Sequence, residues 1–140
     1  MHLQLITLHG VRFDQEIYEL IAPTSTGEIA IFPGHEPLVT LAVPVALVVR
    51  HKKEDRDESL EYFAISGGVL EIAQKSIRVL VDEADHGENI IEAESKAALE
   101  RALKQRDEAE DQVEIDKAVE LIDRHQVRLQ VADLQRRKRR

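Results

Sequence analysis

With 140 residues, 43% of them hydrophobic and 33% charged, the chain has the length and composition of a globular domain rather than of a disordered segment. A formal charge of −8, no Trp, and only 2 Tyr and 3 Phe argue against a general nucleic-acid binder, which needs a basic surface and aromatic platforms. The absence of cysteine excludes disulfide scaffolds and thiolate metal centres and suits a reducing compartment, and the longest apolar run, Val43 to Val49, is too short to span a bilayer.

The first 20 residues carry Asp14, Glu16 and Glu19 and have no basic start, so they do not read as a leader. Short apolar segments follow one another: Leu3 to Leu8, Val11 to Ile21, Glu28 to Phe32, Leu38 to Ala42, Val45 to Arg50, Leu60 to Ser66, Val69 to Ala73 and Ile77 to Asp82. They are rich in Val, Ile, Leu, Phe and Tyr, and several alternate in polarity, which predicts strands. In the second of them Val11, Phe13, Ile17 and Ile21 are expected to share one face. Turn chemistry separates the segments at Thr24-Ser25-Thr26-Gly27, Pro33-Gly34, Gly67-Gly68 and Gln74-Lys75-Ser76. The charged stretch Lys52 to Ser59 reads as a solvated hairpin tip. Many short strands at this spacing predict an antiparallel sandwich or barrel.

Beyond Gly87 there is neither Gly nor Pro, and 53 residues without the two main breakers, rich in Ala, Glu, Lys, Arg and Leu, read as helix. The charge divides at the same place, with 14 acidic and 7 basic side chains up to residue 87 and 13 acidic and 12 basic after it. Asn89 with Glu92, and Asp111 with Glu114, have the spacing of capping boxes. They predict one helix over Ile90 to Glu110 and a second over Glu114 to Leu134. The first presents Ile91, Ala98, Ala102 and Ala109, with Leu99 and Leu103 beside them; the second carries Ile115, Ala118, Val119, Ile122 and Leu129, and a separate stripe of Val127, Val131 and Leu134. The expected architecture is therefore α+β: an N-terminal antiparallel β-sandwich over residues 1–87 and a C-terminal antiparallel two-helix hairpin over residues 88–140. Thin, alanine-rich stripes make the hairpin a poor core by itself, so it must dock on something, and two packings close in energy are what a switch requires.

Catalytic patterns are scarce. The histidines, His2, His9, His35, His51, His86 and His125, include no i, i+4 pair on a helix and no HExxH, so no metal site is expected. Ser66 lacks a nucleophile elbow, and Gly67 and Gly68 read as a tight turn or a close strand approach. No phosphate-binding glycine loop is present. Glu28, His35 and Glu36 lack a pocket and a nucleophile. The run Arg136, Arg137, Lys138, Arg139 and Arg140 suits a helix C-terminus. With Arg124 and Arg128 it also forms one basic stripe able to meet an acidic protein surface.

Two stretches carry a specific likeness: Gly27-Glu28-Ile29-Ala30-Ile31-Phe32-Pro33-Gly34-His35-Glu36-Pro37-Leu38-Val39-Thr40, and Ile65-Ser66-Gly67-Gly68-Val69-Leu70-Glu71-Ile72 followed by Ile77 to Ala84. In order and spacing they resemble the epsilon subunit of F-type ATP synthases, whose pattern runs GExGIxPGHxPLxT and later SGGxLE. Ser95 to Ala102 and Val127 to Leu134 are also similar to that family, so the likeness covers nearly the whole chain. It implies a ten-strand sandwich with a helical hairpin, acting as a non-catalytic subunit of the rotary central stalk. The implied partners are the gamma subunit, the ring of c subunits and, through the hairpin, the alpha/beta catalytic head. No nucleic acid and no cofactor is implied, and the membrane is reached only through the complex, at the cytoplasmic face of a bacterial membrane. By the resemblance, Glu28 and His35 fall on positions that face the c ring. The hairpin acts as a brake on ATP hydrolysis, for which Arg124, Arg128 and the terminal cations are candidate contacts with the beta subunits. The competing reading is a free-standing adaptor that binds proteins without a motor.

One departure stands out. Some bacterial members of the family bind ATP through an I/L-D-x-x-R-A motif at the start of the first helix. The matching positions here read Ile90-Ile91-Glu92-Ala93-Glu94-Ser95. The Asp is Ile91 and the Arg is Glu94, whose carboxylate repels phosphate, so no useful affinity for ATP is expected.

Overall fold

The computed structural model describes residues 1–138. Ten strands precede two helices: β1 (His2–Thr7), β2 (Gly10–Glu16), β3 (Glu19–Thr24), β4 (Gly27–Ile31), β5 (Leu38–Ala42), β6 (Ala46–Arg50), β7 (Glu61–Ile65), β8 (Gly68–Ile72), β9 (Ser76–Val81), β10 (Ala84–His86), α1 (Glu92–Glu108) and α2 (Gln112–Lys138). The strands run in the order β10-β7-β6-β3-β5-β8-β9-β1-β2, with β4 also on β3. Their ladders are antiparallel except for β1 beside β9. β3 joins the two layers: Glu19 to Ile21 pair with β6, and Thr24 pairs with β5.

Alternation builds the core. Leu3 and Leu5 of β1, Leu70 and Ile72 of β8, and Ile77 and Val79 of β9 point inward against Leu20, Leu47, Val49, Phe63 and Ile65 from the other layer. β7 departs from period two, since its residues from Tyr62 to Ile65 are all buried. The reason is α2, which lies on the outer side of β6 and β7. There Val127 and Val131 meet Ala46, Leu60, Tyr62 and Ala64. α1 packs on α2 in turn, and Ser95 and Ala102 of α1 and Ala118 and Ile122 of α2 are among the side chains buried.

Several sequence expectations need correction. The segment Val11 to Ile21 is two strands, because the chain leaves one layer at Ile17, whose N–H donates to the Met1 carbonyl (2.8 Å), and enters the other at Tyr18, whose N–H donates to the Arg50 carbonyl (2.9 Å). Phe13 and Ile17 are buried as expected, but Val11 is 54% exposed, and Leu20 rather than Ile21 points inward. Asn89 does not cap the first helix; it lies in a short 3-10 turn over Gly87–Asn89, and Ile91 occupies the cap position without a side-chain bond. Ile91 and Val119 are exposed rather than on the packed faces. At the second helix the Glu114 N–H does donate to Asp111 Oδ1 (2.8 Å), while the Glu114 carboxylate accepts from Glu110 rather than from Asp111. The two stripes read on the second helix have different jobs. Val127, Val131 and Leu134 dock it on the sheet, while Ala118 and Ile122 are buried outside that cluster.

Gly68 is required by close approach. A Cβ there would sit 2.0 Å from the Leu80 carbonyl oxygen of β9, a contact no side chain tolerates. Ser66 is structural: its Oγ accepts from the Glu83 N–H (3.0 Å) and donates to the Glu83 carbonyl (3.3 Å).

Candidate functional site: an uncovered sheet face and a docked arm

The two layers of the sandwich differ on their outer sides. α2 covers β6 and β7. On the other layer, register places one apolar residue from each of five strands in a row: Leu41 of β5 opposite Val69 of β8, Val69 opposite Leu80 of β9, Leu80 opposite Ile6 of β1, and Ile6 opposite Val11 of β2. Leu41 is 60% exposed, so the row ends in solvent rather than under a helix. The neighbouring row is polar, with Glu71 and Arg78 paired at 3.5 Å and Val39 at its end opposite Glu71. An apolar stripe flanked by a charged one, on a sheet face that neither helix covers among the described residues, is built for a protein partner.

The turn after β4 leads into β5, the strand at one end of that row. Pro33 and Gly34 form a type II turn, with φ of 87° at Gly34 and the His35 N–H donating to the Phe32 carbonyl (3.2 Å), a geometry that needs glycine in the third place. The His35 ring donates from Nδ1 to the Glu36 carbonyl (2.7 Å). Phe32 packs edge-on to Tyr18. Glu28 lies at the start of β4, opposite Pro23, beside a turn held by the Thr24 hydroxyl donating to the Gly27 carbonyl (2.6 Å). Glu28 is exposed and His35 half-exposed. Among the described residues no hydrogen bond or ion pair joins them, so they form two points on a surface and not an acid/base couple.

Part of the basic stripe is turned toward the sandwich in this docked arrangement, while Arg136 and Arg137 stay exposed. Arg124 Nε lies 2.7 Å from Glu83 Oε2, near enough for the charges though not aligned for a hydrogen bond. Arg128 Nε lies 3.7 Å from Asp85. Arg136 bridges Glu92 (3.1 Å) and Asp133, Arg137 also pairs with Asp133 (3.1 Å), and Lys138 Nζ donates to the Leu60 carbonyl (2.5 Å). Arg139 and Arg140 lie outside the described residues. Arg124, Arg128 and Lys138 therefore bind the hairpin to its own sandwich, while Arg136 and Arg137 pair within the hairpin; at half-exposed sites each ion pair contributes about 0–1 kcal/mol.

Residues 1–87 match the family described as ATP synthase, Delta/Epsilon chain, beta-sandwich domain. The ATP synthase epsilon chain of Staphylococcus saprophyticus is 30% identical over 136 residues, covering 96% of this chain and 98% of the relative. The chain belongs to the ATP synthase delta/epsilon family. The epsilon chain of Herpetosiphon aurantiacus is 33% identical over 139 residues, with 97% of this chain and 96% of that one covered. In the solved Euglena gracilis mitochondrial ATP synthase, one chain shares the fold with a TM-score of 0.74 at 21% identity, over 89% of this chain and 76% of that one. The family places the protein as a non-catalytic component of an enzyme complex, in keeping with an α+β sandwich and helical hairpin. Among the described residues no helix is long and apolar enough to cross a membrane.

Two features of the family member escaped the sequence reading. The apolar row depends on register across five strands, which no single segment reveals. The cluster in which Glu61 faces both His51 (3.1 Å) and His86 (3.6 Å) joins residues from three separate segments, and its only signal was an isolated histidine in two of them.

Proposed function

We propose that this chain is the epsilon-type rotor subunit of an F-type ATP synthase, with residues 1–87 as a rigid foot and residues 88–140 as a movable arm. The observation that carries this is the asymmetry of the sandwich: one outer face is occupied by the chain's own α2, and the other bears the uncovered row Leu41, Val69, Leu80, Ile6 and Val11. That row is the docking face for the gamma subunit. Glu28 and His35, presented on rigid turns, are the contacts with the polar loops of the c ring, where several weak contacts resist slip under load. The solved relative from Tetrahymena thermophila, which shares the fold (TM-score 0.59), comes from a structure of a central stalk with its c ring, and this supports the placement. The complex is at the cytoplasmic face of a bacterial membrane, with this subunit peripheral to it.

The arm is a brake on ATP hydrolysis. Released from β6 and β7, it frees Arg124, Arg128 and Lys138, which with Arg136, Arg137, Arg139 and Arg140 meet acidic surface on the beta subunits. Several such pairs, partly shielded, suffice to balance a small docking interface. Deleting residues 88–140 should raise the ATPase rate of the assembled enzyme and leave assembly intact; an unchanged rate removes the brake but not the foot. A Leu41→Asp variant should lose co-purification with gamma while remaining folded. Titrating the isolated chain with ATP in a calorimeter should give no micromolar binding, because Glu94 stands in the groove between the helices that holds Arg101 and Arg128.

A further inference from the structure

We propose that His125 is an acid-sensitive latch on the helical arm: neutral, it allows α2 to stay between α1 and the sheet, and its protonation favours release of the arm. His125 lines a groove of about 340 Å³ between the two helices, together with Glu94, Ser95, Ala98 and Arg101 of α1 and Arg128 of α2. Its Nδ1 is out of reach of solvent and has no hydrogen-bond partner. The charges around it are held in place by the docked arrangement. Arg124 is tied to Glu83 in the turn before β10, Arg128 to Asp85 on β10, and Arg101 and Glu94 face the ring from α1.

Three guanidinium groups therefore act on the imidazole, Arg101 and Arg128 from the groove and Arg124 from the adjacent position on α2. Of the carboxylates nearby, Glu83 and Asp85 are already engaged by two of those guanidiniums, which leaves Glu94 as the counterweight. A proton on His125 adds a fourth cation at a place partly withdrawn from water, which both burial and like charge oppose. Burial first, then Arg124, Arg128 and Arg101, hold the ring below its ordinary value of 6.5, against a weaker opposing pull from Glu83. Release in which α2 parts from α1 as well as from the sheet restores water to the ring and removes Arg101, together with the weaker opposing pull of Glu83, while Arg124 and Arg128 remain on the same helix. The released form thus takes up the proton more readily than the docked one. By linkage, docking weakens as pH falls through the ordinary imidazole range near 6.5.

The consequence in the motor, an arm freed by acidification, rests on the brake reading above; the latch itself is a property of the isolated chain and is measured there. The chain has no cysteine, so two can be introduced at exposed Lys53 and Gln130 and labelled for distance measurement on the full chain. Between about pH 8 and about pH 5.5 the docked-to-released ratio should fall several-fold in the otherwise native sequence. His125→Gln should remain docked across that range, and His125→Lys should be released already at the alkaline end. A native chain whose distances ignore pH, or a His125→Gln chain that keeps the native response, overturns the latch. The ring's own titration by NMR in the unlabelled chain gives a second measure that needs no variant: a midpoint at or above 6.5 refutes it as well. If the isolated chain responds but pH-dependent hydrolysis by the assembled enzyme is the same with His125→Gln, the brake reading fails and the latch stands.

Discussion

The sandwich and the arm are held by different means. The sandwich closes around Leu3, Leu5, Leu20, Leu47, Leu70 and Val79, all without exposure, contributed by strands far apart in sequence. The arm rests on that sandwich through two valines, Val127 and Val131, set against Ala46, Leu60, Tyr62 and Ala64, and through ion pairs that water screens. In the first region, moving any strand that carries one of these leucines would expose several fully buried side chains. The other needs only a modest loss of contact to leave. The difference teaches where movement in this protein is cheap: between α2 and the outer face of β6 and β7, and not within the strands.

The harshest way to break the comparison is at Gly68. Its missing Cβ would lie 2.0 Å from the Leu80 carbonyl oxygen, and backbone on both sides leaves no flexible side chain to give way. Gly68→Ala should destabilise the sandwich by about 3 kcal/mol or more, seen as a lower urea midpoint. The arm should be lost with it, because the surface it rests on belongs to the same fold. Loss of the arm alone, with the strands intact, would contradict that order of dependence.

A paired substitution sharpens it. Leu47→Ala cuts the sandwich core and should cost about 2–5 kcal/mol, speeding amide exchange in strands and helices together. Val131, also without exposure, belongs to the docking interface, and Val131→Ala should cost about 1.5–3 kcal/mol. That cost should fall on the arm, so exchange quickens in α1 and α2 while β1, β8 and β9 stay protected. Equal effects of the two substitutions on the strands would mean that arm and foot unfold as one unit.

Much of this division was legible in the sequence, and what was missed has a common cause. Leu38–Ala42 was bounded by its own apolar run and turn residues, and the helical region by the lack of Gly and Pro beyond Gly87. Both signals are local. The break at Ile17 and Tyr18 is made by hydrogen bonds to Met1 and Arg50, which a local pattern cannot contain, and β10 is three residues defined by pairing with β7 rather than by any alternation of its own. The site follows the same rule. The Pro33-Gly34 turn that presents His35 was readable, because its chemistry lies in adjacent residues. The inward engagement of Arg124 and Arg128 was not, because Glu83 and Asp85 are some forty residues away along the chain.

The smallest effect separates the two regions by the direction in which acid acts. His2, on β1, reaches both Asp14 and Glu16 (3.0 Å to the latter) on β2, and those bonds, Asp14 first, raise its imidazole above 6.5. Glu16 is lowered from its ordinary value of 4.5, chiefly by His2. The folded sandwich therefore holds the His2 proton more tightly than the unfolded chain. The stabilisation is fully present below pH 6.5 and fades as pH rises through the raised value of the ring; at the acid end it lasts until Glu16 itself is protonated. The trio is exposed and salt weakens it, so the expected change in stability is slight, but the titrations are distinct. By NMR the His2 midpoint should lie above 6.5 and that of His125 below it. His2→Gln should abolish the first without altering the position of the arm. Acidification from neutral pH thus tightens the edge of the foot while loosening the arm, and two rings titrating together would show that the two regions do not sense protons separately.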